Sequence, residues 1–114
     1  MRDDRERLQD ILEAVERIEK YAARGEQAFE EDELIQNWMV QNLQVIGEAA
    51  RALSPKVRES HPELAWSDII GMRTVLVHHY FEVDAAIVWS AVTEDVPILK
   101  RKVAAILSTW DQDQ

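Results

Sequence analysis

The amino-acid sequence predicts an all-α domain. Apolar residues recur at helical spacing through four long segments, and strand-like alternation is absent over any useful length. Three Gly and three Pro in 114 residues leave little room for a turn-rich β fold. No internal repeat or low-complexity stretch interrupts the chain, so residues 1–114 are expected to form a single domain. Folded alone, a chain of this length buries about 60–70% of its unfolded surface. That allows a modest core, which oligomerisation would extend.

The first element spans Arg2 to Arg24, with Leu8, Ile11, Leu12, Val15, Ile18 and Ala22 on one stripe and Gly25 as its stop. The acids Glu30, Glu31, Asp32 and Glu33 then precede a helix from Leu34 to Leu53, where they complement the helix dipole. Its apolar set is Ile35, Trp38, Met39, Ile46, Ala49, Ala50 and Leu53, and Gly47 within it leaves room for a close helix neighbour. Ser54-Pro55 reads as N-cap and first position of a short helix ending near Ser60, broken by His61-Pro62. Ser67-Asp68 is placed to cap a helix from Ile69 to about Tyr80. Asp84 is a candidate cap for a last helix, Ala85 to Trp110, in which Pro97 should produce a kink or a new first turn. These segments describe a helical bundle.

Charge and composition exclude several roles. The net charge is −9, with 22 acids against 13 bases, so binding of nucleic acid by bulk charge is disfavoured and any such role needs a local site. The absence of Cys removes disulfides, thiolate metal sites and a cysteine nucleophile. No apolar run approaches the ~18–20 residues of a membrane helix, and the charged start MRDDRERLQD is unlike a signal peptide. The expectation is a cytoplasmic protein with no membrane contact.

The helix from Ile69 does not fit a plain bundle. With Ile69 at the origin, Ile70, Met72, Leu76 and Val77 fall at about 100°, 300°, 340° and 80°. Arg73, at about 40°, lies in the middle of that apolar arc, and Tyr80 follows on the same stripe at about 20°. The opposite stripe is Ser67, Gly71, Thr74 and His78. A cation centred in an apolar face is costly unless paired or used. An ion pair of Arg73 with a carboxylate such as Glu48, a capping imidazole at His78 and a core tyrosine at Tyr80 all fit this pattern. So does a catalytic site: imidazole moves protons near neutral pH, and guanidinium holds phosphoryl oxygens and stabilises developing charge. That pair suits RNA cleavage without a metal or other cofactor. On one straight helix, however, Arg73 and His78 are about 140° and ~7.5 Å apart. Either the helix unwinds near His78 or a twofold brings two copies to one cleft.

These residues resemble a known family. Arg73-Thr-Val-Leu-Val-His78-His-Tyr80 is similar to the R-x4-H-x-Y motif of HepT-type HEPN ribonuclease toxins. Ile46-Gly47-Glu48-Ala49 resembles the family's second-helix signature. Trp66-x-x-Ile69-x-Gly71-Met72-Arg73 resembles the approach to the motif, and Tyr80-Phe81-x-Val83-Asp84 with Val88-Trp89 its exit. The resemblance implies an up-and-down bundle of four to five helices that dimerises through the motif helix, with Arg73 and His78 as the catalytic pair of a metal-independent endoribonuclease. It further implies an antitoxin partner, a minimal nucleotidyltransferase that transfers AMP onto Tyr80, as in type VII toxin–antitoxin pairs. Two positions depart from the family pattern: Thr74, where Asn is frequent, and His79, where an acid is frequent. With Glu48, these are candidate supporting residues. A catalytically inactive helical partner of a nucleotidyltransferase is the alternative, and the acidic net charge favours it.

Overall fold

The structure, a computed structural model, describes residues 3–71 and 85–112. It is all-α, with no strand among the described residues. Helix α1 spans Asp4–Ala22, α2 Glu26–Glu31, α3 Glu33–Ala52 and α4 Pro55–Ser60. Residues 66–71 are helical and form α5 as far as it is described. After residue 84 come α6 (Ala85–Ser90), a π-helical turn (Ala91–Asp95) and α7 (Val96–Gln112).

The start of α1 is set by Asp3, whose carboxylate accepts a hydrogen bond from the Glu6 amide. Leu8, Ile11, Ala14, Val15 and Ile18 are all fully buried. They cover an arc of about 120°, too wide for one neighbour, and α1 packs against both α3 and α7. Polar contacts give the directions. Asp4 at the start of α1 accepts from both the backbone N and the hydroxyl of Ser54, just past the end of α3. Near the other end, the Trp38 indole of early α3 donates to the Arg17 carbonyl. Arg5 pairs with Asp111 at the end of α7, and Glu19 with Lys100 near its start. Helices α3 and α7 therefore both run antiparallel to α1.

Gly25 is the turn that separates α1 from α2. Its φ of 93° and ψ of 167° lie in a region open to glycine alone. The turn makes possible α2, a six-residue helix that periodicity does not reveal because it is too short to repeat. Its Phe29 is buried. The Gln36 side chain of α3 donates to the carbonyls of Phe29 and Glu30 and fixes α2 in place. Asp32, expected as part of a helix-start acid cluster, is the N-cap of α3 and accepts from the Leu34 amide at 2.9 Å. Ser54 and Pro55 cap α4 as expected.

One boundary differs from expectation, and another gains an unexpected turn. Helix α5 begins at residue 66, not at Ile69: the Ile69 amide already donates to the Ala65 carbonyl. Ser67 and Asp68 therefore sit in the first turn instead of capping it. The buried Trp66 sets this earlier start, because its indole N–H reaches back to the His61 carbonyl at 2.9 Å. In the last helix, Pro97 lies in the first turn of α7, as expected, and a π turn sits just upstream of it. Proline has no N–H and its ring crowds the carbonyl four residues back. The Val96 amide bonds to Ala91, five residues back, and the widened turn accommodates the ring. Val88, Val92 and Val96, spaced by four, would drift about 80° around a regular helix. All three are buried here.

Two outcomes follow from this packing. Gly25→Ala should destabilise the domain by about 1–3 kcal/mol, read by thermal or denaturant unfolding. The Arg5 guanidinium, by hydrogen bond and charge, holds the exposed Asp111 carboxyl below its ordinary value. A carboxylate lowered on folding stabilises above its unfolded pKa of about 3.9 and loses that effect as pH falls through the lower folded value. The melting curves of the wild-type protein and Asp111→Asn should therefore differ slightly at neutral pH and converge below about pH 3.9.

Candidate functional site

Arg73, Thr74, His78, His79 and Tyr80 lie outside the described residues, as does the candidate cap Asp84. Of the expected site residues, the structure places Glu48. It lies exposed on α3, with its carboxylate 3.4 Å from the Arg51 guanidinium. The neighbouring Ile46, Gly47, Ala49 and Ala50 are buried. Glu48 is thus carried at the solvent edge of a packed helix. Among the described residues, no group of three His, Asp or Glu is arranged to hold a metal ion. No helix there is long and apolar enough to cross a membrane.

The structure does describe the scaffold on either side of the motif. On the entry side, the loop after α4 is held by its carbonyls. The His61 carbonyl accepts from the Leu64 amide and the Trp66 indole, and the Glu63 carbonyl accepts from the Lys102 ammonium of α7. Leu64, Trp66 and Ile69 are buried against the core. The first turn of α5 is therefore fixed to α7 and to the end of α4 before the chain reaches Arg73.

On the exit side the anchor is aromatic. Val88 of α6 is buried, and the Trp89 ring lies 5.2 Å from the Phe29 ring, tilted by 31°. The Thr93 hydroxyl donates to the Trp89 carbonyl across the start of the π turn. Gln36 fixes α2, α2 presents Phe29, and Phe29 positions Trp89. Neither Phe29 nor the π turn is visible in the motif pattern. The four-residue spacing of Val88, Val92 and Val96 ahead of Pro97 was the available signal for the π turn.

Helix α3 backs the exit anchor through its contacts with α6 and α2. In its buried face, Asn42 is the one polar side chain fully inside the core among the described residues. Its amide donates to the Trp38 carbonyl one turn earlier, which satisfies the group within its own helix.

The entry anchor is testable. Trp66→Phe keeps most of the buried ring but removes the indole N–H from the His61 carbonyl. It should cost about 1 kcal/mol in unfolding free energy and raise amide hydrogen exchange in residues 61–69 above that in α1.

Comparison with known proteins identifies the scaffold. The family model described as "HepT-like: Ribonuclease HepT-like" matches residues 11–106. A protein of Thermococcus cleftensis named "Probable ribonuclease HepT" is 38% identical over 104 residues, covering 89% of this chain and 93% of that one. One of Caldanaerobacter subterraneus subsp. tengcongensis, named "Putative RNase TTE0752", is 34% identical and covers 94% and 96% of the two chains. A Methanocaldococcus jannaschii protein named "Gamma-glutamylcyclotransferase and putative RNase MJ0434" is 32% identical over 94% of this chain, which spans 49% of its length. No solved structure matches. The matched region runs from the buried stripe of α1 through both anchors to the end of the α7 core, and this chain belongs to the ribonuclease HepT-like family.

Proposed function

We propose that the protein is an endoribonuclease that cleaves RNA without a metal, with Arg73 and His78 as its catalytic pair. The observation that carries this reading is the intact Arg73…His78…Tyr80 spacing in a chain of this family, three of whose relatives bear the names of RNases. His78 takes the proton of the ribose 2′-hydroxyl, and the 2′-oxygen attacks the adjacent phosphorus. Arg73 holds the phosphoryl oxygens and stabilises the charge that builds on them. The 5′-oxygen leaves with a proton, giving a 2′,3′-cyclic phosphate and a 5′-hydroxyl. Because one straight helix separates Arg73 and His78 by about 140°, the reading includes a homodimer whose two copies share one cleft.

In this reading the protein is the toxin of a type VII-like pair, and a minimal nucleotidyltransferase is its antitoxin. The Tyr80 phenol oxygen attacks the α-phosphorus of ATP, pyrophosphate leaves, and AMP remains on the tyrosine. On a regular helix Tyr80 lies about 20° and ~10.5 Å from Arg73. The added phosphodiester competes for the guanidinium, and the adenosine occupies substrate space. The rival reading, an inactive helical partner of a nucleotidyltransferase, draws support from the net charge of −9.

Arg73→Ala and His78→Ala should each lower RNA cleavage by about 10²–10⁴-fold with unchanged thermal unfolding. The wild-type protein should cut equally well in EDTA. Cleavage that needs a divalent ion overturns the mechanism, and no cleavage by the wild-type dimer favours the rival. Incubation with the nucleotidyltransferase, ATP and magnesium should add the mass of AMP at a site lost in Tyr80→Phe. A stable monomer at micromolar concentration in sedimentation would remove the shared cleft.

A further inference from the structure

An acidic protein that cleaves RNA must hold the strand at a local site. Several cations outside the motif are already committed. Arg5 is paired with Asp111, Arg51 with Glu48 and Lys100 with Glu19, while Lys102 is on the Glu63 carbonyl. Lys56 on α4 is exposed and has no carboxylate partner among the described residues. It lines an open groove of about 570 Å³ between α4, the end of α7 and the start of α1. That volume suits a nucleotide-sized ligand.

The groove has the parts that a single-stranded nucleic acid uses. Its floor is apolar, from the buried Val57 and Ile106. One wall is the half-buried ring of Trp110. The Trp38 and Trp66 indoles each donate to a backbone carbonyl, but the Trp110 N–H has no protein acceptor among the described residues. Although Trp110 is near the end of the described chain, it is held in place, because the next residue, Asp111, is fixed by Arg5 at 2.8 Å. The acids nearby are engaged. Both oxygens of Asp4, which also lines the groove, hold Ser54, and Asp111 is neutralised by Arg5. The lining also includes His61, whose carbonyl anchors Trp66 at the start of α5. The groove and the helix leading to Arg73 therefore share one hydrogen-bonded loop.

We propose that this groove is a subsite for one nucleotide of a single-stranded RNA, with the base stacked on Trp110 and the phosphate held by Lys56. It rests on the ribonuclease reading, for which it supplies a strand-holding site outside the motif. Base–aromatic stacking tolerates any sequence, so the subsite adds affinity and not base choice.

The test uses the full-length protein and a fluorescein-labelled oligoribonucleotide of about 12 nucleotides, read by anisotropy in the His78→Ala background to prevent cutting. Trp110→Ala should weaken binding by about tenfold, and Trp110→Phe should restore most of it. Lys56→Ala should reduce the slope of log affinity against log salt by about 0.7, the loss of one phosphate contact on a single strand. In the cleaving protein, both substitutions should raise KM and leave kcat unchanged. Wild-type affinity and salt slope in Trp110→Ala and Lys56→Ala, with thermal unfolding unaltered, overturn the subsite while leaving cleavage by the wild-type protein to judge the ribonuclease reading. AMP or inorganic phosphate binding as tightly as the oligonucleotide also overturns it, in favour of a pocket for a free nucleotide. If the wild-type protein neither binds nor cuts the oligonucleotide, both readings fall.

Discussion

The architecture depends on one requirement, that the buried stripe of α1 be covered on both flanks. Five side chains with no exposure at all, over about 120° of helix surface, need two neighbours. Helices α3 and α7 fill those places and run antiparallel to α1. Burial supplies most of the stabilisation, at about 25 cal/mol per Å² of apolar surface. The exposed pairs Arg5–Asp111 and Glu19–Lys100 contribute little energy of their own. Their part is to select direction and register, together with the Asp4–Ser54 contact. Once α3 and α7 are fixed, so are the elements that frame the motif: α5 hangs from α7 through Lys102, and α6 rests on α3 and α2.

The two anchors differ in kind. The entry is held by hydrogen bonds to backbone carbonyls, which are directional and specify where α5 begins. The exit is held by ring packing between Phe29 and Trp89, which is less directional but covers more area. A π turn follows immediately on the exit side. Such turns are found often at functional sites, and in this chain Pro97 gives a sufficient covalent cause. The extra residue changes the angle at which α6 leaves α7, so the choice of proline seven residues past the end of α6 bears on how Trp89 meets Phe29.

Much of this was legible in the residues. The long helices follow from apolar periodicity, and Ser54-Pro55 and Asp32 declare their ends because capping chemistry is local. The elements that escaped are those whose cause is tertiary. Six residues of α2 carry no period, and Phe29 is recognisable as core only when Trp89 is beside it. The start of α5 looked like a Ser67-Asp68 cap, but the indole of Trp66 outweighs that local preference by binding a carbonyl five residues earlier. Arg73 stood out for the opposite reason: it breaks the apolar pattern of the helix that periodicity predicts there, and His78 and Tyr80 stood out by their spacing from it. Trp110 and Lys56 break nothing. A tryptophan at a helix end and a lysine on a surface helix are ordinary until the fold sets them in the lining of one groove.

The charge of the chain ties these points together. With a net of −9, the protein repels RNA at distances up to the Debye length of about 8 Å at physiological salt. Attraction must come from cations at contact range whose acids are otherwise engaged. The fold arranges this by pairing inward: Arg5, Arg51 and Lys100 neutralise carboxylates across or along the bundle. Each such pair removes a cation from the surface available to phosphate, and it equally removes an acid that would repel one. At the end of α7 that exchange quiets Asp111 beside Trp110, while at the start of α1 Ser54 occupies both oxygens of Asp4 without removing its charge. An acidic protein can thereby present a patch that is neutral in sum and apolar in floor, where one lysine and one aromatic face suffice to hold a strand while the rest of the surface discourages indiscriminate binding.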